Sequence, residues 1–344
     1  MKKKMLVLAL AGIMAVSSLT GCKSVKTVNS EEVLMTVNGE EVTAGIANFY
    51  ARYTQAQYET YYGAYMTQGQ SMWETEVEEG VTYEQSVKDT VLEMVQIMVL
   101  SEQHMSDYGV ELTDKEKAHV AKAVQEFVDG NKEANVELVS GDEATVERYM
   151  TLQAINTKVQ KAIADTVDKK VSDKEAAQKK MEYVFFSYET TDDEGNKVDL
   201  TDAEKADLKA KAQAVSDAVA AGEDFAKAAE AQDAKVNELT FDASTTTVNP
   251  EIIMAADALN EGEYTGVVDT ADGLYIAKVV SLLDREATDA KKAQILSQRQ
   301  SDEYVAVCEK WIADSNIEVN DDVWATVDFK EITVRMKQEE AAAE

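Results

Sequence analysis

The chain has 344 residues, enough for two or three domains, and carries 34 Lys+Arg against 65 Asp+Glu, a formal charge of −31. Such an acid excess repels phosphate backbones and argues against nucleic-acid binding, while 45 % apolar residues and one proline exclude a disordered Pro-rich polymer. Two cysteines and two histidines are too few for a disulfide framework or a Cys/His zinc cluster, so neither a metal nor a cofactor is expected.

Residues 1–21 read as a signal peptide. Lys2, Lys3 and Lys4 precede an apolar stretch, Met5 to Val16, that is too short to span as a permanent helix. Leu19-Thr20-Gly21-Cys22 resembles a bacterial lipobox. That implies lipidation of Cys22 and a tether on the extracytoplasmic face of the cell membrane; a plain secretory signal is the alternative. Residues 22–30 are then a polar tether.

From Leu34 the text LMTVNGEEVT predicts two short strands around an Asn38-Gly39 turn. A helical pattern follows over 44–68. A second starts at Tyr83 with Val87, Val91, Met94, Val95 and Met98 on one face. Thr113 and Glu116 form a capping box that opens a third helix to about Val128. A fourth covers 142–168, with Val146, Met150, Ala154 and Val159 inward. To this point the chain is expected to be helical apart from its first turn.

The pattern changes near residue 181. MEYVFFSY predicts a strand and DDEGNK a polar turn; Thr201 and Glu204 cap an Ala-rich helix that Gly222 ends. A short helix, a strand at LTF, a helix from Pro250 and a closing strand GLYIAKVVSL complete an α+β module. A last helix, about 288–314, contains Trp311 and Cys308, the latter at a core spacing.

The order of these pieces resembles the PrsA-type foldase lipoproteins, relatives of SurA. The resemblance rests on the lipobox, Val37-Asn38-Gly39-Glu40, Gly222-Glu223-Asp224-Phe225-Ala226, Ala255-Ala256 through Leu259, and Gly273-Leu274-Tyr275-Ile276. It implies an α+β multidomain protein. A mostly helical chaperone domain (31–177 and 285–344) would carry an inserted parvulin-like peptidyl-prolyl isomerase domain (178–284). The family's two strand histidines fall on Tyr183 and Tyr275, and its apolar pocket on Val248, Ile252 and Leu259. Its Gly-Gly-Asp-Leu-Gly turn is replaced around Asn237 to Phe241.

Prolyl isomerisation breaks no bond; a site need only favour the twisted amide, so tyrosine hydroxyls could take over part of an imidazole's hydrogen bonding. His104 and His119 read as surface residues, and DDEGNKVDL as a turn in preference to a calcium loop, since Thr190 takes the first ligand position. Tyr50, Tyr53, Tyr58, Tyr61, Tyr62 and Tyr65, with Met66, wrap too far round a helix to share one core stripe. They are candidates for client binding, or else part of them packs against the last helix with Trp311 and Trp324. The leading reading is a membrane-anchored chaperone for unfolded or nascent secreted proteins, with a homodimer admitted. The alternatives are an active isomerase working through Tyr183 and Tyr275, and a solute-binding lipoprotein, which would need parallel sheets.

Overall fold

The computed structural model describes residues 14–18, by their backbone alone, and 27–62, 71–131 and 136–336. Cys22, Tyr65 and Met66 lie outside them. Contacts divide the chain into two units, 1–167 with 300–344, and 168–299.

In the first unit, β1 (Met14–Ser18) falls inside the stretch read as leader. Next come β2 (Val33–Val37) and β3 (Glu40–Thr43), joined as expected through Asn38 and Gly39. Both turn residues have positive φ, 53° and 85°, the two-residue turn whose twist matches that of paired strands. Helix α1 (Ala44–Tyr61) follows, and then β4 (Glu76–Glu78) and β5 (Val81–Thr82), a hairpin absent from the sequence expectation. Helices α2 (Tyr83–His104), α3 (Asp114–Gly130) and α4 (Glu143–Ala164) complete this part. Val87, Val91, Val95 and Met98 on α2, and Val146, Met150, Ala154 and Val159 on α4, are buried at the predicted 3.6-residue spacing.

The second unit contains α5 (Asp173–Ala176), β6 (Lys179–Ser187), the hairpin β7 (Glu189–Thr191) and β8 (Lys197–Asp199), α6 (Asp202–Ala220), α7 (Phe225–Glu230), β9 (Val236–Phe241), α8 (Pro250–Asp257), β10 (Val268–Asp269) and β11 (Gly273–Ser281). Its main sheet has the order β10-β11-β6-β9, antiparallel throughout. Side chains alternate across it. Val184, Phe186, Leu274 and Ile276 form one apolar layer with Ala212, Val215 and Val219 of α6 and Phe225 of α7. Met181, Tyr275, Ala277 and Val279 form the other with Ile252, Ile253 and Ala256 of α8.

Helix α9 (Arg285–Asp314) leads back to β12 (Ile317–Val319), α10 (Asp321–Trp324) and β13 (Ile332–Met336). β12 pairs with β2, and β13 with β1. Polar side chains of α1 and α2 then hold the main chain of this returning segment. Lys88 Nζ donates to the carbonyls of Trp324 and Val327 (3.2 and 2.6 Å), and Arg52 to that of Asp328 (2.8 Å). Glu84 accepts the Phe329 N–H, and Gln55 donates to the Ile332 carbonyl. These are buried groups reading backbone, and each would be expensive to leave unmatched. Every strand pair among the described residues is antiparallel, so the parallel sheets a solute-binding reading requires are not among them.

Candidate functional site

In the second unit, β6 and β11 run antiparallel with Tyr275 opposite Phe185 and Ala277 opposite Tyr183. Period-two alternation puts Tyr183, Phe185 and Tyr275 on one face. The Tyr183 and Tyr275 ring centres are 6.2 Å apart, and Phe185 stacks on Tyr275 at 4.4 Å. Val248, Ile252 and Leu259, from α8 and its flanks, belong to the same apolar cluster. The five residues singled out in the sequence are therefore gathered in one place.

Their exposure differs. Tyr183 and Val248 are half-buried, whereas Tyr275 is only 3 % exposed and Ile252 fully buried. The Tyr275 hydroxyl donates to Asp272 Oδ2 at 2.8 Å. Asp272 Oδ1 also accepts from Asn249 Nδ2 (2.8 Å) and Thr270 Oγ1 (2.7 Å). Burial works against the Asp272 charge, but the three donors outweigh it and hold the carboxyl below its usual range. Burial first, and the neighbouring Asp272 second, push the Tyr275 phenol well up, so it stays protonated and donating. The Tyr183 hydroxyl has no hydrogen-bond partner among the described residues.

Gly273 fixes this corner. A Cβ there would meet the Phe186 carbonyl at 2.2 Å and the Phe185 ring at 2.6 Å. Only glycine lets β11 start this close to β6. The arrangement offers an apolar wall, one buried phenol tied to an anion and one phenol without a partner. It can hold an amide by packing and a hydrogen bond; nucleophilic chemistry has no activated group here. Sequence reading missed Asp272, Asn249 and Thr270. The signal available was the Thr-x-Asp turn three residues before Tyr275.

The other candidates lie in the first unit. Tyr50 and Tyr53 are half-buried along α1, with Tyr50 stacked on Tyr149 of α4 at 5.4 Å. Tyr58 meets Trp73 and Tyr83 edge-on at 6.1 and 5.5 Å and lies 5.9 Å from Tyr62, while Trp73 and Tyr83 stack at 5.6 Å. Beneath them Glu59 Oε1 accepts the Trp73 Nε1–H at 3.0 Å, and burial raises its carboxyl. Tyr61 and Tyr62 are 66 % and 56 % exposed. The α1 tyrosines make no ring contact with Trp311 or Trp324 among the described residues. Trp311 stacks on His104 at 4.6 Å, and Lys88 lies over Trp324. The packing partners anticipated for the tyrosines are thus replaced by α4, Trp73 and Tyr83. His104 is half-buried by its stack where a surface position was expected; His119 is exposed.

Residues 189–294 match the family model of the PPIC-type PPIASE domain. The match includes Tyr275, Val248, Ile252 and Leu259 and begins after β6, leaving Tyr183 outside it. Among solved structures the chain is similar to the foldase protein PrsA from Lactococcus lactis (16 % identity, TM-score 0.34, covering 86 % of this chain and 97 % of that one). It is also similar to PrsA from Streptococcus pneumoniae (19 %, 0.31, 75 % and 99 %). A third similarity is to a structure reported among SurA-like chaperones of Campylobacter jejuni (12 %, 0.29, 84 % and 98 %). No curated protein matches the chain.

Proposed function

We propose that this PrsA-type chain, with its PPIC-type isomerase domain at residues 189–294, is an extracytoplasmic foldase that holds unfolded secreted polypeptides through its helical unit. The observation that carries the reading is the end of α1. There Tyr61 and Tyr62 face solvent above a packed layer of Tyr58, Trp73 and Tyr83. Tyrosine buries large area on a partner at low entropic cost and keeps its hydroxyl wet, which suits binding without sequence preference. In the isomerase domain, by contrast, Tyr275 is buried with its hydroxyl committed to Asp272, which supports a packing role. No described helix is long and apolar enough to cross a membrane. Attachment is assigned to lipidation at Cys22, and the limits of the inserted domain to residues 178 and 284.

The test measures aggregation suppression of an unfolded protein beside isomerisation of a proline tetrapeptide. Holding without appreciable turnover is expected. Turnover without holding would transfer the function to the isomerase domain. That second reading has one observation in its favour: Tyr183, with an unengaged hydroxyl, shares an apolar cluster with Tyr275, Val248, Ile252 and Leu259. For the anchor, Cys22→Ser is expected to abolish membrane attachment, read by fractionation.

A further inference from the structure

Glu74 closes the 3-10 turn that contains Trp73, and the hairpin β4–β5 begins two residues later with Glu76, Glu78 and Glu79 in its first strand and turn; all four glutamates are exposed. Among the described residues none of the four is in an ion pair; Lys330 pairs with Glu84 at 3.4 Å and, from farther off, also feels the Glu74 charge. Val77, between Glu76 and Glu78, is 48 % exposed. The hairpin is tied to the aromatic layer by the Tyr83 N–H, which donates to the Thr75 carbonyl at 2.8 Å. Exposed large apolar side chains are few among the described residues of this unit, and three of them lie in sequence between members of the aromatic layer, Tyr61 and Tyr62 before Trp73 and Val77 after it.

An aromatic patch beside exposed carboxylates outside any ion pair has a definite complement. Tyrosine and tryptophan faces attract ammonium and guanidinium groups, and the carboxylates add a charge that falls off over about 8 Å at physiological ionic strength. Apolar side chains of the same segment would cover Tyr61, Tyr62 and Val77. We propose that the α1 end and the β4–β5 hairpin form one docking surface for cationic, apolar-containing extended segments of unfolded polypeptides. This rests on the client-holding reading above and names the class of client that reading leaves open. Lys and Arg side chains of the client lie against Glu74, Glu76, Glu78 and Glu79, and its Leu- or Tyr-type residues lie on the tyrosines.

The experiment uses the full chain and a fluorescent dodecapeptide alternating lysine with leucine and tyrosine, without proline so that isomerisation plays no part. A counterpart carries glutamate at each lysine. The lysine peptide is expected to bind on the order of tenfold or more tightly than the glutamate peptide at low salt, and the difference to shrink in high salt. Neutralising the four glutamates (Glu74, Glu76, Glu78 and Glu79→Gln) should remove most of that preference. Neutralising the remote turn pair Asp193→Asn and Glu194→Gln should leave it. Tyr61→Ser with Tyr62→Ser should weaken both peptides. Equal binding of the two peptides, or a preference that survives the four-glutamate change, overturns the inference while leaving general client holding intact. Failure to bind either peptide, together with no suppression of aggregation, overturns the holding reading itself. All the substituted side chains are exposed, so far-UV dichroism should show every variant folded.

Discussion

Tyr275 and Tyr183 differ in what their hydroxyls touch, and this sets what each substitution does. Tyr275→Phe removes a donor from a carboxylate that keeps two others, from Asn249 and Thr270. We expect a loss of about 1 kcal/mol in unfolding free energy and no change in proline isomerisation. Tyr183→Phe removes a hydroxyl without a described partner and should be silent in stability. A tenfold fall in turnover for Tyr183→Phe, with holding unchanged, would place function in the second unit. Gly273→Ala is a harsher change, because a methyl group would lie 2.2 Å from a carbonyl oxygen that cannot move without breaking the β6–β11 pairing. A loss of about 2 kcal/mol or more is expected in denaturant titration. The tyrosines were visible in the sequence because a family pattern points at them. Asp272 was not, since its importance comes from three donors that only the folded turn brings together.

Local signals that close within a few residues were legible. Thr113 and Glu116 cap α3 in both directions, and Thr201 and Glu204 cap α6 likewise. Asn38 and Gly39 make the predicted turn. What escaped were elements fixed by distant partners or masked by charge. The hairpin at 76–82 has glutamate at alternating positions and an exposed valine, so it shows no apolar face of period two. β12 and β13 are three and five residues long and owe their place to β2, β1 and the side chains of α1 and α2, far away in sequence. The α3 cap also carries a pH dependence. Glu116 Oε2 accepts from Lys158 Nζ of α4 at 2.7 Å as well as from Thr113. The bond from Lys158, above all, holds its carboxyl down to about 2 from the usual 4.5. A depressed carboxyl adds stability above its unfolded pKa and loses it as pH falls through the folded one. Glu116→Gln should therefore cost about 1 kcal/mol near neutrality, and that difference should vanish between about pH 4.5 and about pH 2. Thermal unfolding of both proteins across that window checks it.

The chain leaves the first unit at residue 167 and re-enters it at 300, and the Gln300 side chain donates to the Ala164 carbonyl at 3.2 Å. Because the two ends meet, replacing 168–299 by a short Gly/Ser linker should leave a cooperatively unfolding helical protein. The excised 168–299 should retain its own sheet. Non-cooperative melting of either piece by dichroism would contradict the division. The return of the C-terminal segment has a consequence in time. Synthesis is vectorial, and Arg52, Gln55, Glu84 and Lys88 emerge long before the carbonyls and N–H groups of 324–332 that match them. During that interval α1 and α2 carry polar groups whose partners do not yet exist, while every strand of the β10-β11-β6-β9 sheet has already been made. A chain halted before residue 316 should therefore have a protease-resistant core from the second unit and a digestible first one. The part of the molecule proposed to hold unfinished proteins is itself the last to be finished.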